Sequence, residues 1–401
     1  MSLRISTQGQ YAQNLAALLQ RQSELARTQL QLSSNSRLLR AADDPVGAGV
    51  AVLLDHASAE LERYATNAST LNHRLNLEEA ALTSVGDRLS RIRELAVQAS
   101  NDTQSEESRS AIVAELREQY AGLVALANSD DGMGRYLFGG SQDRSAPFSI
   151  GAGGVSYNGD QVQRRVDIAA ETSVADTDPG SEVFMRVRTG NGTFAARAGS
   201  GNAGTAVITD SGFTNPSAWD GGSYRIAFDG AGGYQVLDAA SAVIATGSYT
   251  PGTAISFRGV QVTLNGQPAA GDLVNVQPAV NQDIFATVRN LIDAASAPTG
   301  TPAQKAAQRN GFYAAIEDLG QAGNHITDTH ASLGARLSTI GATADERSAQ
   351  SIALKSTLSD LRDLDYAEAA SRLSMQLTAL QAAQAAFLRV QGSSLFDALR
   401  G

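Results

Sequence analysis

The residues of this chain that could bind a metal or exchange protons do not fall at the spacing of a known site. The four histidines are His56, His73, His325 and His330. Two ligands on one face of a helix must lie three or four residues apart, whereas His325 and His330 are five apart. The histidines therefore predict no zinc centre, and we expect them on helix surfaces.

Two further patterns resemble binding loops but differ from them at the defining positions. Residues 176–182 (DTDPGSE) are spaced like calcium ligands, but the glycine falls at the fifth position and no glutamate stands at the twelfth. The glycine runs at 151–154 and 230–233 lack the lysine and following helix of a phosphate-binding loop, so we interpret them as hairpin turns. The chain has no cysteine, which excludes disulfides and thiolate chemistry. We expect no cofactor, no metal and no enzymatic activity.

Length and charge narrow the class of protein further. The 401 residues exceed one ordinary core, so we expect two or three domains. A net charge of −10 argues against nucleic acid as a partner, and no apolar run reaches the roughly 18 residues of a membrane span. Residues 1–40 nevertheless carry five arginines against one acid. A solvated helix face explains that excess most simply, and an acidic partner or an export-apparatus surface is the alternative.

Glycine and proline divide the chain into two flanks and a centre. Of the 38 glycines, 21 lie between Gly151 and Gly271, and seven of the nine prolines lie between Pro147 and Pro298. Because these residues break helices, long helices are predicted in the flanks only. The predicted fold class is α+β, with long flanking helical rods, terminal coiled-coil helices and an inserted, mostly antiparallel β domain.

Both ends of the chain carry a coiled-coil stripe, in which apolar residues recur at alternating steps of three and four. Such a stripe is too narrow to bury itself alone and needs another helix alongside. We therefore expect the termini to pair with each other or with other subunits. The stripe positions are Tyr11, Leu15, Leu18, Gln22, Leu25, Gln29 and Leu32 at one end, and Tyr366, Ala370, Leu373, Leu377, Leu380, Gln384, Phe387 and Gln391 at the other.

Helix starts are predicted where a capping side chain precedes a helical pattern. These starts are Asp44-Pro45, Thr103 with Glu106, Thr301-Pro302, and Asp365 with Glu368. Four glycines between Gly320 and Gly341 predict a curved or interrupted helix there.

The centre predicts short strands. Tyr224–Phe228 and Tyr234–Leu237 flank a glycine-rich turn and form the clearest hairpin signal. Other predicted strands are Val162–Ile168, Val183–Val187, Ala242–Thr246, Ala254–Phe257, Val260–Leu264 and Leu273–Val276. The predicted domains are an N-terminal assembly helix (1–44), a helical rod with a β-hairpin (45–175), an inserted β domain (176–279), a returning rod (280–364) and a C-terminal assembly helix (365–401).

Several motifs in order along the chain resemble the bacterial flagellin superfamily, and most closely its hook–filament junction branch. The motifs are LRIST at 3–7, LSSNSRLLRAADDP at 32–45, YLFGG at 136–140 followed by Pro147-Phe148, YNGD at 157–160, and SLFDAL at 394–399. One departure is Ser34-Asn-Ser-Arg37, where the family usually has a glycine-lysine-arginine run. Only Arg37, Asp43 and Asp44 therefore carry over from that signature.

The resemblance implies a structural adapter that joins the flagellar hook to the flagellin filament. It implies export without a cleavable signal peptide, through the flagellar type III system, and an extracellular place in the flagellum. The implied partners are further copies in a ring or helical layer, a hook-side junction protein, filament flagellin and a cytoplasmic export chaperone. The alternatives are a filament flagellin, a surface adhesin with a helical stalk and, least favoured, an enzyme in the central domain.

The predicted assembly interface combines the terminal stripes with the residues that carry over from the signature. It consists of Tyr11, Leu15, Leu18, Leu25, Leu32, Arg37, Asp43, Asp44, Leu373, Leu377, Leu380, Phe387, Leu395, Phe396 and Leu399.

Overall fold

The computed structural model describes residues 7–101 and 104–392. Within them, long helices precede and follow a set of antiparallel sheets in the sequence, which confirms the predicted α+β class. No helix in these ranges is both long and apolar enough to cross a membrane. The helices are α1 (Thr7–Ser34), α2 (Pro45–Ala99), α3 (Glu106–Ala127), α4 (Gly180–Phe184), α5 (Ile284–Ser296), α6 (Pro302–Arg362) and α7 (Tyr366–Gly392).

The strands of the described chain pair antiparallel throughout. They are β1 (Phe148–Gly151), β2 (Gly154–Tyr157), β3 (Arg165–Ala169), β4 (Thr172–Ala175), β5 (Val187–Arg188), β6 (Phe194–Ala198), β7 (Val207–Phe213), β8 (Tyr224–Phe228), β9 (Gly233–Leu237), β10 (Val243–Ser248), β11 (Ala254–Phe257), β12 (Val260–Asn265), β13 (Leu273–Pro278) and β14 (Asn281–Gln282). The larger sheets have the orders β10-β9-β8-β13-β6 and β11-β12-β7. Three two-stranded pairs, β1-β2, β3-β4 and β14-β5, accompany them.

The helix starts follow the predicted caps, with one correction. Asp44 accepts a hydrogen bond from the Gly47 amide at 2.9 Å, and Asp365 accepts one from the Glu368 amide at 3.0 Å. The cap of α3 is Ser105, which accepts from the Ser108 amide, and not the predicted Thr103, which lies outside the described residues. A residue two positions closer to the first helical turn thus supplies the oxygen that the free amides need.

The predicted interruption of α6 is wrong, because the helix runs unbroken from Pro302 to Arg362. A glycine in a helix costs only about 1 kcal/mol. Leu319, Ala322, Ile326 and Leu333 are buried along the same stretch, and their packing offsets that cost.

The chain forms two compact units. The central unit spans Asn67–Ala342, and the terminal unit combines Met1–Thr66 with Thr343–Gly401. Both α2 and α6 contribute residues to each unit.

The first core of the central unit lies among its long helices and the small hairpins β1-β2 and β3-β4. Its densest part is an aromatic group in which the Phe184 ring lies 5.1 Å from Phe138, 5.3 Å from Phe148 and 5.8 Å from Phe285. Phe184 ends the short helix α4, so the prediction of a strand over Val183–Val187 is wrong for all but its last residue. The helical turn of α4 directs the Phe184 ring into the core, whereas an extended strand would direct it elsewhere.

The second core lies between the two larger sheets. The predicted hairpin Tyr224–Phe228 with Tyr234–Leu237 is confirmed as β8-β9, where Phe228 lies opposite Tyr234. Strands β6 and β7 were not predicted. The side chain of Asn310 on α6 accepts from the Ile208 amide at 2.8 Å and donates to the Ala206 carbonyl at 3.0 Å, which satisfies the open edge of β7.

A buried ionic group holds β4 and the following loop against α2. The Arg74 guanidinium donates to Asp131 at 2.9 Å, to Asp176 at 3.0 Å and to Thr177 at 3.2 Å. Although burial alone would raise the pKa of Asp131, the amides of Met133 and Arg135 and the charge of Arg74 hold it below its usual range.

Candidate assembly interface

The terminal helices α1 and α7 pair with each other in antiparallel orientation. The rings of Tyr11 and Phe387 lie 5.5 Å apart at one end, and Ser36 forms an isolated antiparallel bridge with Asp363 just beyond the other. This register places Leu18 across from Leu380. Pairing between the two ends of the chain, one of the two arrangements expected from their stripes, is therefore present within a single copy.

The predicted stripe residues are only partly covered by this pairing. Leu18, Leu25, Leu32, Leu373, Leu380 and Phe387 are half-buried, while Tyr11, Leu15 and Leu377 remain exposed. The predicted residues Leu395, Phe396 and Leu399 lie outside the described residues. Two helices alone thus do not bury a coiled-coil stripe of this width.

Polar groups interrupt the seam between the helices. Thr28 and Gln31 are buried on α1, where the Thr28 hydroxyl donates to the Glu24 carbonyl and the Gln31 amide donates to the Arg37 carbonyl. On α7 the Gln376 side-chain oxygen is buried and has no partner among the described residues. Buried polar groups in a coiled coil lower its stability but restrict its register.

The signature residues shape the turn that connects α1 to α2. Asp43 pairs with Arg27 at 2.8 Å, and its second oxygen accepts from the amides of Leu39 and Arg40. Arg37 donates from its guanidinium to the Leu361 carbonyl at 2.8 Å, and its amide donates to the Arg362 carbonyl at 2.7 Å. Arg37, Asp43 and the cap Asp44 therefore have partners inside the chain, and they position the helices.

Exposed apolar residues of the terminal unit that lie off the stripe were missed by the sequence analysis. They are Leu19 and Leu30 on α1 and, on different faces of α7, Met375 and Leu388, each more than half exposed. The signal was available, because these residues are apolar on helices whose stripe already accounts for one face. The sequence analysis considered only the stripe positions and therefore omitted these residues.

The residues considered for chemistry do not come together. His325 contacts the Glu182 carbonyl through its ring nitrogen at 2.8 Å, and His330 lies 3.7 Å from Glu79. Asp176 and Asp178 of the calcium-like pattern pair with Arg74 and Arg336. In the part of the chain that the structure describes, no group of three metal-ligating side chains is present.

Comparison with known proteins shows the family to which this chain belongs. The family model described as the bacterial flagellin N-terminal helical region matches residues 5–143, and that of the C-terminal helical region matches residues 316–398. A crystal structure of Xanthomonas campestris FlgL is 41% identical, with 76% of this chain and 99% of that chain covered and a TM-score of 0.73. The chain belongs to the FlgL family of the flagellin superfamily.

Two other relatives agree with this membership. The flagellar junction protein FlgL of Legionella pneumophila is 29% identical, with 78% of this chain and all of that chain covered and a TM-score of 0.71. Flagellar hook-associated protein 3 of Salmonella typhimurium is 33% identical over 185 residues, which is 46% of this chain and 58% of that relative. The match thus spans little more than half the length of the curated relative.

Proposed function

We propose that this chain is a structural adapter subunit that joins the flagellar hook to the flagellin filament. The observation that carries the proposal is the apolar surface of the terminal unit, which the pairing of α1 with α7 leaves uncovered. Relatives in the FlgL family bear the names of junction and hook-associated proteins. The incomplete seam supports the proposal, since neighbouring subunits would bury the stripe residues that α1 and α7 leave open.

In this mechanism, the terminal units of neighbouring copies pack into a ring or helical layer. The same layer contacts a hook-side junction protein on one side and filament flagellin on the other. The protein acts outside the cell, as part of the flagellum, after export by the flagellar type III system. It performs no catalysis, and its task is to present one set of apolar faces to two kinds of neighbour.

Replacing Leu380 by aspartate tests the adapter function. The half-buried Leu380 lies on the seam of α7, so a carboxylate there costs several kcal/mol per contact unless it is paired. The variant is produced in a strain whose own copy of the gene is deleted. In that strain, we expect hooks to form, filament protein to be shed into the medium and swimming to be lost. A swimming strain with the variant located at the junction would falsify the adapter function.

Two further variants make this test specific. Met375→Asp places the charge on the outward face of α7, where Met375 is 64% exposed, and should also block filament attachment while the α1–α7 pair persists. Gln235→Asp adds the same charge at an exposed position on β9 of the central unit and should swim normally. Circular dichroism of Met375→Asp and of the control should match the parent protein, whereas Leu380→Asp, which faces Leu18 across the seam, should lose part of the helical signal of α1 and α7.

A filament flagellin is the second candidate, since it belongs to the same superfamily. It is less supported, because the FlgL structures of Xanthomonas campestris and Legionella pneumophila each match more than three quarters of this chain. The deletion strain separates the two: loss of an adapter releases filament protein into the medium, whereas loss of the filament subunit leaves none to release.

We also propose that a cytoplasmic export chaperone covers the C-terminal helix before export. The exposed apolar residues of α7, such as Leu388, would otherwise promote aggregation. Calorimetry should show binding by the full chain and none by a chain truncated after residue 364. Unchanged affinity of the truncated chain would place the chaperone elsewhere.

A further inference from the structure

In the first turns of α2, small side chains are buried and large aliphatic side chains are exposed, which is the reverse of the usual arrangement. Gly47 and Ala51 are buried against the rest of the terminal unit. The aliphatic residues Val46, Val50 and Leu53 lie on another face and are 77%, 39% and 70% exposed. Their spacing of four and three places them on one side of the helix, so this stripe presents its bulk to solvent.

The stripe is also free of charge along its whole length. No ionisable residue occurs from Pro45 to Leu54, and a helix that is apolar on every face is normally covered on every face. The cation nearest to its start is Arg40, whose exposed side chain makes no ion pair within the described residues. The surface therefore calls for a partner that is apolar in its middle and acidic at one end.

The last turns of α6 offer such a surface on the same unit. Ile352 is 67% exposed, and Asp360, eight residues later, is exposed and forms no ion pair in the part of the chain described. Arg40 precedes Val50 by ten residues, five of them before α2 begins. If α2 of one copy packs antiparallel on α6 of another so that Val50 meets Ile352, the turn before α2 that carries Arg40 is directed towards the end of α6 that carries Asp360, about 12 Å beyond Ile352.

We propose that the α2 stripe docks on the Ile352–Asp360 face of α6 in a second copy of this chain. The contact is heterologous, because a different surface is used on each partner, so it leaves both copies able to bind a further one. Repetition of such contacts makes a ring or a helical layer. The inference rests on the proposed function and adds the surface by which neighbouring copies recognise each other.

The absence of cysteine allows a direct test with single-cysteine variants of the full chain. One copy carries Val50→Cys and the other Ile352→Cys, with tags of different size, and a short bis-maleimide joins thiols that lie close together. We expect the mixed product in concentrated solution and on flagella of a strain that makes both variants. It should exceed at least fivefold the product of either variant with Val243→Cys, which is exposed on β10. A yield no greater than these controls in both settings overturns the inference.

Charge reversal tests the orientation of the contact. Arg40→Asp should lower the mixed product severalfold, and Asp360→Arg in the other copy should restore it. A yield that Arg40→Asp leaves unchanged contradicts the antiparallel arrangement. If the cross-link fails while Leu380→Asp still prevents filament attachment, the adapter function stands and only this contact is wrong.

Discussion

The terminal and central units differ in where they place their apolar side chains. Each core of the central unit contains many buried apolar residues. In the described part of the terminal unit, the buried apolar residues are Ala51, Tyr64 and Ala369. Most of the large exposed apolar residues belong to the terminal unit. The central unit thus has cores of its own, whereas the chain leaves much of the apolar surface of the terminal unit exposed.

Matched phenylalanine variants give the largest expected difference between the units. Phe184→Ala opens a cavity in the aromatic group of the central unit and should lower the free energy of unfolding by about 3–5 kcal/mol. Phe387→Ala removes a half-buried ring that contacts Tyr11, and should leave the main urea transition almost unchanged while weakening assembly. Similar losses in both variants, measured by urea titration with circular dichroism, would remove the distinction between the units.

Ion pairs should show the same contrast at a smaller scale. Arg74→Ala leaves the buried carboxylate of Asp131 without its cation and leaves Asp176 with Arg164 alone, which should cost about 3 kcal/mol or more. Arg362 pairs with Asp55 in the terminal unit, where the two side chains are 41% and 46% exposed, so Arg362→Ala should cost under about 1 kcal/mol. Urea titration at low and high salt checks both, and salt should weaken only the second pair.

Glu78 gives the central unit a dependence on pH. Burial, together with the charge of Asp178, raises the pKa of Glu78 well above its ordinary value of 4.5. Above pH 4.5 the unfolded chain releases this proton while the folded chain retains it, so Glu78 lowers stability increasingly until the pH exceeds the folded pKa.

Glu78→Gln should remove this contribution. Between pH 5 and pH 8 the parent protein should lose stability relative to the variant, and Glu118→Gln, at an exposed position on α3, should follow the parent. Parallel pH profiles for the parent and Glu78→Gln would show that Glu78 is already ionised in the fold.

Local signals accounted for much of the architecture. Asp44, Asp365 and Thr301 cap helices within three residues of themselves, and the β8-β9 hairpin closes over a short turn. Such interactions depend on neighbours in sequence, so composition and spacing predict them. The terminal stripes likewise predicted helices that need partners.

Features that depend on distant residues were beyond this reasoning. Strand β7 has its open edge satisfied by Asn310, which follows Ile208 by 102 residues. Phe184 lies in a helical turn because Phe138, Phe148 and Phe285 surround its ring. Neither interaction produces a periodic pattern in the sequence around the residue that it affects.

For the candidate interface, the sequence by itself determined that the terminal helices carry apolar stripes, because heptad spacing follows directly from the order of residues. Only the tertiary structure decided which faces remain open. Folding covers Ala51 and leaves Val46 and Leu53 exposed, and that choice depends on which side of α2 the rest of the terminal unit occupies. A residue's spacing defines its helical face, but the packing of other helices determines whether that face is available to a second copy.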